Sequence, residues 1–176
     1  MSTVTEPIRD INKVNEMREA LTNDRDKMLF TLGINSGLRI SDLVGLTVDD
    51  VKPMMELYEQ KTGKFKRFAL SKAVYEMLRE YASRCKHWLF PSRSGDGHIT
   101  TTQAWRKIKA ASVKCGLENI GTHSMRKTFG YHAYRKGVPI AYLMQVFNHS
   151  SEAITMRYLG ITTEELNSKV YAIMAL

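Results

Sequence analysis

Cysteine is nearly absent from these 176 residues: Cys85 and Cys115 stand alone, far apart and outside any CxxC pair. That excludes a disulfide scaffold and a zinc-finger framework, and it fits a reduced, cytoplasmic setting. The five histidines, His87, His98, His123, His132 and His149, are scattered, with no two at the i, i+4 spacing of a metal site, so no metal is expected. No apolar run approaches the ~18 residues of a membrane span. Met1–Asp10 lacks the apolar stretch of a signal peptide. Linkers, internal repeats and low-complexity tracts are also missing. The chain therefore reads as one soluble domain, 1–176, large enough to bury a core unaided.

What is present in excess is positive charge. Lys and Arg number 26 against 18 Asp and Glu, a net charge of +8. The ends do not supply it. Met1–Lys27 holds five bases and six acids and Tyr158–Leu176 one base and two acids, which leaves +10 on the body between. A basic body between near-neutral ends points to a polyanionic partner, nucleic acid first, with a merely solvated basic surface as the bland alternative.

Apolar spacing predicts a mainly α protein with a small antiparallel β-sheet. Ile11, Val14, Met17 and Leu21 mark one helix, and a second runs from about Asp24 to Asn35, stopped by Ser36-Gly37. Ser41 is expected to cap a short helix bearing Leu43, Val44 and Leu46. From Val48 to Leu70 the period becomes two: Met55, Leu57 and Glu59 alternate with Glu56, Tyr58 and Gln60. Thr62-Gly63 then turns the chain into a returning strand, Phe65–Leu70, giving a hairpin or a three-stranded sheet. Helices resume with the stripes Val74, Met77, Leu78, Tyr81 and then Trp105, Ile108, Ser112, Cys115. Pro91–His98 is an exposed loop between them. A helix from about Ser124 to Lys136 ends at Gly137, and Pro139 opens another that buries Ile140, Leu143, Met144 and Phe147. Leu166, Val170 and Ile173 stripe a C-terminal helix. Residues 1–10 are expected to be flexible.

Five segments hold the residues with chemistry. Gly37-Leu38-Arg39 puts an arginine just after a helix stop, and Lys61-Thr62-Gly63-Lys64 puts lysines at the hairpin turn. His123-Ser124-Met125-Arg126 sets a histidine and an arginine on one helix face. Asn148-His149 follows an apolar helix, and Tyr158 lies nine residues further on. In this order, and over nearly the whole chain from about Ile11, they resemble the catalytic domain of tyrosine recombinases, the phage-integrase and Xer-like site-specific recombinases. Asn148 departs from the glycine usual before the second histidine, yet asparagine also tolerates the left-handed backbone.

The resemblance implies a DNA strand transferase that needs no metal or other cofactor. Tyr158 attacks the scissile phosphate and forms a 3′-phosphotyrosyl link, which conserves the bond for rejoining. Arg39 and Arg126 clamp the non-bridging oxygens. Lys61, by family position, protonates the departing 5′ oxygen, with Lys64 its rival, and His123 and His149 bind phosphate or take the tyrosine proton. Lys64, Lys66 and Arg67 form a basic hairpin suited to tracking phosphates. Asp42 is expected to orient Arg39 or cap its helix, His132 to be structural, His87 and His98 to be exposed, and Trp105 to be core. Lys107 and Lys109 read as surface charge.

The family also implies double-stranded DNA as partner, a tetramer on DNA from free monomers, accessory proteins, and a nucleoid-associated setting of bacterial or phage origin. Its members usually carry an N-terminal helical clamp domain, for which ten residues before the first helix leave no room. The chain is therefore expected to be either a stand-alone catalytic module or a shortened form. The helix over 163–176 is expected to pack on a neighbouring protomer or on its own domain. A DNA-binding module that cleaves poorly, and a type IB topoisomerase, are the alternative readings; a metal nuclease is disfavoured because no acidic cluster is evident.

Overall fold

The computed structural model describes residues 5–93 and 97–172. Its helices are α1 (Ile11–Ala20), α2 (Asp24–Ser36), α3 (Ile40–Val44), α4 (Lys72–Ala82), α5 (Thr101–Lys114), α6 (Thr122–Arg135), α7 (Ile140–Phe147), α8 (Glu152–Leu159) and α9 (Thr163–Ala172). Between α3 and α4 a single hairpin pairs β1 (Met54–Tyr58) with β2 (Phe65–Ala69), antiparallel, with Met55 opposite Phe68 and Leu57 opposite Lys66. The sheet has two strands, the smaller of the two expected forms.

Local chemistry sets most boundaries. The Asn23 side chain accepts from Asp26 N at 2.9 Å to start α2. Thr100 and Gln103 form a reciprocal capping box on α5. Ser151 caps α8, and Gly160, at φ 69°, ends it. That helix carries Tyr158, and its only sequence signature was this Ser…Gly bracket. Ser41, by contrast, lies inside α3; the cap position belongs to Arg39, whose side chain makes no capping bond.

Two apolar clusters result. The larger draws on α1 to α5 and the hairpin, through Met17, Leu29, Phe30, Leu43, Met55, Leu78 and Ile108. The smaller joins Leu143, Phe147, Leu159 and Ile161, with Leu166 of α9 packed against it. α6 runs along the seam, giving Met125 to the first cluster and Phe129 and Ala133 to the second. Gly130 permits this: a Cβ there would meet Leu159 Cδ2 at 2.5 Å and Phe147 Cζ at 2.6 Å.

Some expected core residues face outward. Trp105 is 47% exposed and Ile11 and Met77 are likewise on the surface, because the buried stripes run through Ala104/Ile108/Ala111, Val14/Met17 and Val74/Leu78/Tyr81. His98 is half-buried, its ring against Trp88, whereas His87, which also contacts that indole, is exposed as expected.

The N-terminal segment is not loose where it is described. Pro7 and Ile8 are buried, Glu6 N donates to Asn119 O at 2.9 Å, and Ile8 N donates to Thr128 Oγ1 at 2.8 Å. His132 Nε2 lies 2.9 Å from Ile8 O, the structural use expected of it. Arg9 reaches the far end of the chain, donating to Gly160 O at 2.6 Å and pairing with Glu165 of α9. Residues 1–4, the Val170 side chain and Ile173 lie outside the described residues.

Candidate catalytic centre

Two arginines meet where α2 ends against α6. Gly37, at φ 63°, turns the chain sharply, and a Cβ there would strike the Phe129 ring at 2.6 Å. Leu38 is fully buried and anchors the turn, which leaves Arg39 beside it partly exposed. The Gly37 carbonyl accepts from Arg126 Nη1, and Phe147 O accepts from Arg126 Nη2 at 3.4 Å. The Phe147 ring covers the guanidinium at 4.8 Å. Arg126 is only 4% exposed and staples the seam between the two clusters. Burial works against its charge; Tyr158 and Glu59 support it and Arg39 opposes it.

Tyr158 faces this pair. Its ring centroid lies 5.0 Å from that of His149 and 5.4 Å from that of Phe147, and Lys127 Nζ sits 5.0 Å above it. Burial raises the phenol pKa, while Arg126 and Arg39 pull it back. Asn148 ends α7 in the left-handed conformation, φ 56° and ψ 44°, so the turn survives without glycine. His149 Nδ1 lies 3.0 Å from Thr155 Oγ1, whose own hydroxyl donates to Ser151 O at 3.3 Å. With that proton committed, Thr155 accepts from His149 Nδ1–H and leaves Nε2 as the basic nitrogen. Burial, then Arg126 and Arg39, hold the His149 pKa below its usual value, which favours the neutral ring. His123, in the first turn of α6, is exposed; burial of part of the ring and the charges of Lys127, Arg126, Lys61 and Arg39 depress its pKa too.

The hairpin divides its basic residues. Lys61 is exposed on the turn, within electrostatic reach of His123. Lys64 Nζ donates to Asn148 Oδ1 at 3.4 Å, and Arg67 pairs with Glu56 on the outer face. Lys66 does not join a solvated basic face. It points inward, half-buried, with Nζ 3.3 Å from Val146 O. Burial, then the charge of Arg126, push its pKa down to about 8.

The folded protein therefore binds fewer protons at Lys66 than the unfolded chain between pH 8 and 10.5. Stability gains a rising component across that window, and below it the charged lysine costs about 3 kcal/mol. Lys66→Met is expected to raise the unfolding free energy at pH 7 and to flatten its rise above pH 8, as measured by urea denaturation across pH. An unchanged pH slope would refute this account of Lys66.

Several residues at the centre were not singled out by sequence reasoning. Glu59 is 1% exposed and pairs with Arg39 Nη1 at 2.7 Å. Burial favours its neutral form, but Thr62, Arg39 and Lys66 outweigh that and hold its pKa low. Asp42, expected to orient Arg39 or cap its helix, lies in the first turn of α3 and is put to another use: its Oδ1 accepts from Gln60 N at 2.9 Å and ties α3 to the hairpin. Lys127, buried between the Thr5 carbonyl and the Tyr158 ring, and Thr155 complete the set. Among the described residues no three His, Cys, Asp or Glu side chains converge as metal ligands, and no helix is long and apolar enough to cross a membrane.

The structure is a mainly helical domain with one antiparallel hairpin, and it brings two arginines, two histidines and a tyrosine from distant segments together. The phage integrase family model matches residues 8–165, and the chain belongs to that family. It is 43% identical over 164 residues to "Probable integrase/recombinase YoeC" of Bacillus subtilis (strain 168), covering 90% of this chain and 91% of that one. Against the tyrosine recombinase XerD of Corynebacterium glutamicum it is 30% identical over 153 residues, covering 81% of this chain and 50% of the relative. Among solved structures, XerA recombinase superposes with a TM-score of 0.79 at 19% identity, over 100% of this chain and 66% of that one. The Tn1549 transposon integrase in complex with transposon right end DNA gives 0.73 at 16%, over 99% and 68%. The chain is thus an integrase/recombinase catalytic domain that spans nearly all of YoeC and half of XerD.

Proposed function

We propose that this domain cuts and rejoins double-stranded DNA through Tyr158, without metal or cofactor. The observation that carries the reading is the packing of Tyr158 and Arg126 against one ring, that of Phe147, at 5.4 and 4.8 Å, with the His149 ring 5.0 Å from the tyrosine. In the attack, the Tyr158 oxygen bonds to phosphorus and its proton passes to His149 Nε2. The bond to the 5′ oxygen breaks, and Lys61 supplies the proton that the departing hydroxyl needs. Arg39 and Arg126, permanently charged and forked, hold the two non-bridging oxygens as charge builds on them, and His123 adds a hydrogen bond at the edge. The reverse sequence, with a 5′ hydroxyl from another strand, completes exchange. Two duplexes each cut on two strands need four tyrosines, so the working assembly is a tetramer formed on DNA from free monomers. Lys64 and Arg67 on the hairpin supply phosphate contacts, and the +10 body makes binding steeply salt-dependent.

The test is a covalent trap. The protein is incubated, with and without EDTA, with a library of nicked duplexes whose short cleaved fragment diffuses away. DNA retained on denatured protein is sequenced and its attachment point mapped by mass spectrometry. A chelator-resistant adduct on Tyr158 is expected, and it supplies the target site as well. Salt-sensitive binding with no adduct would turn the reading to a DNA-binding module, an adduct elsewhere would displace Tyr158, and loss in EDTA would restore a metal.

A further inference from the structure

Glu59 follows β1 directly, at the foot of the hairpin turn, and almost nothing of it reaches solvent. A carboxylate that deep is tolerated only with strong partners. Its Oε2 oxygen has three, from three separate segments. Arg39 Nη1 stands at 2.7 Å, Thr62 Oγ1 donates at 2.7 Å, and Asn148 Nδ2 donates at 3.2 Å. The Asn148 side chain also reaches the opposite shoulder of the turn, where its Oδ1 accepts from Lys64 Nζ at 3.4 Å. Backbone bonds close the turn itself: Glu59 N donates to Lys64 O at 2.9 Å and Gly63 N to Glu59 O at 2.8 Å.

Both shoulders of the turn that carries Lys61 are therefore fastened to the residue preceding His149, and one of them also to Arg39. The backbone of Asn148 does not by itself require asparagine, because glycine adopts φ 56°, ψ 44° with less strain. What asparagine adds is the amide, and both ends of that amide are spent on the hairpin.

We propose that Glu59 and Asn148 are positioning residues that hold the Lys61 turn in register with Arg39 and the His149 turn. This rests on the reading of Lys61 as proton donor to the departing 5′ oxygen. A flexible lysine on an exposed turn donates well only if the turn is held at the right distance, and a misplacement of about 1 Å costs on the order of a hundredfold in rate.

The experiment compares single-turnover cleavage by the full chain on two duplexes carrying the site recovered by the covalent trap. One has the natural 5′ oxygen at the scissile bond and the other a 5′ sulfur. Sulfur departs as a thiolate and needs no donated proton, so it bypasses the acid while still demanding Tyr158 and both arginines. Glu59→Gln is expected to slow cleavage of the oxygen duplex about 30-fold and Asn148→Gly about tenfold. On the sulfur duplex both variants should fall within about threefold of the parent. Asn148→Gly keeps the backbone conformation and guards against a folding artefact in Glu59→Gln. Equal losses on both duplexes, or no loss on either, would overturn the proposal.

Lys61→Ala is the reference. Should sulfur fail to rescue Lys61→Ala, the assignment of Lys61 as the acid falls, and the positioning proposal with it. Should sulfur rescue Lys61→Ala but neither of the other two, the positioning proposal alone is wrong.

Discussion

Replacing Tyr158 with phenylalanine is expected to abolish covalent attachment to DNA while leaving the fold and DNA affinity in place. The ring is what packs: it lies against Phe147 and His149 with Lys127 above, contacts that phenylalanine keeps. Only the hydroxyl is lost, and with it the atom proposed to bond to phosphorus. Removing a nucleophile that acts as one unit with its base costs the larger part of the acceleration, here at least about 10⁴-fold. The checks are adduct yield on denaturing gels, binding by fluorescence anisotropy and the melting midpoint. An adduct that persists in Tyr158→Phe would place the nucleophile at another tyrosine or at a serine, and the centre described above would have to be redrawn. A large fall in melting midpoint would mean that the hydroxyl, through Arg126, carries more of the fold than its packing indicates.

The second large effect is expected at Arg126, where lysine is the informative replacement. It keeps the charge and loses the planar fork. Two losses follow from one guanidinium. Donation to Gly37 O and Phe147 O from separate nitrogens cannot both be reproduced by an ammonium, so a buried carbonyl is stranded at about 2 kcal/mol. The proposed paired contact to the non-bridging oxygens would be lost as well, worth about 10²–10³ in rate where one such donor is removed. Arg126→Lys should therefore show a lowered melting midpoint and, at a temperature where it is fully folded, single-turnover cleavage slowed by at least about a hundredfold with DNA binding nearly unchanged. A rate within tenfold of the parent would mean that Arg126 serves the fold rather than the phosphate.

Most of this candidate centre was legible because the order of Arg39, His123, Arg126, His149 and Tyr158 resembles the tyrosine recombinase pattern, and the folds of the chain at Gly37 and Asn148 bring those segments together. Apart from α8, which is too short to show a stripe, the helices were legible from their stripes, and the other errors were errors of phase. Trp105 and Met77 lie one position away from buried residues, and a period of 3.6 read by eye slides by one. Glu59 is more instructive. The two-residue alternation placed it on the same face as Met55 and Leu57, and the structure buries it there. An acid on the apolar face of a strand was itself the signal of a buried cationic partner. The register that pairs Leu57 with Lys66 likewise turns Lys66 inward, but a register depends on the turn and is not visible in β2 alone. Asp42 was noticed but its partner was not, because the Gln60 amide belongs to the backbone of another segment.

The strap of residues 5–10 and the arginine staple share a property that bears on how the protein comes into being. The bonds that build the centre join residues far apart in the chain: Arg126 to Gly37 across 89 positions, Asn148 to Glu59 across 89, Ile8 to Thr128 across 120, and Arg9 to Gly160 across 151. Contacts of such span repay the entropy of loop closure only after the helices between them have docked. No fragment of the nascent domain holds a nucleophile beside two arginines. An intermediate that has condensed only the larger cluster has no tyrosine in place. The assembled centre thus arises with the last of the long-range contacts and is lost with the first of them to open.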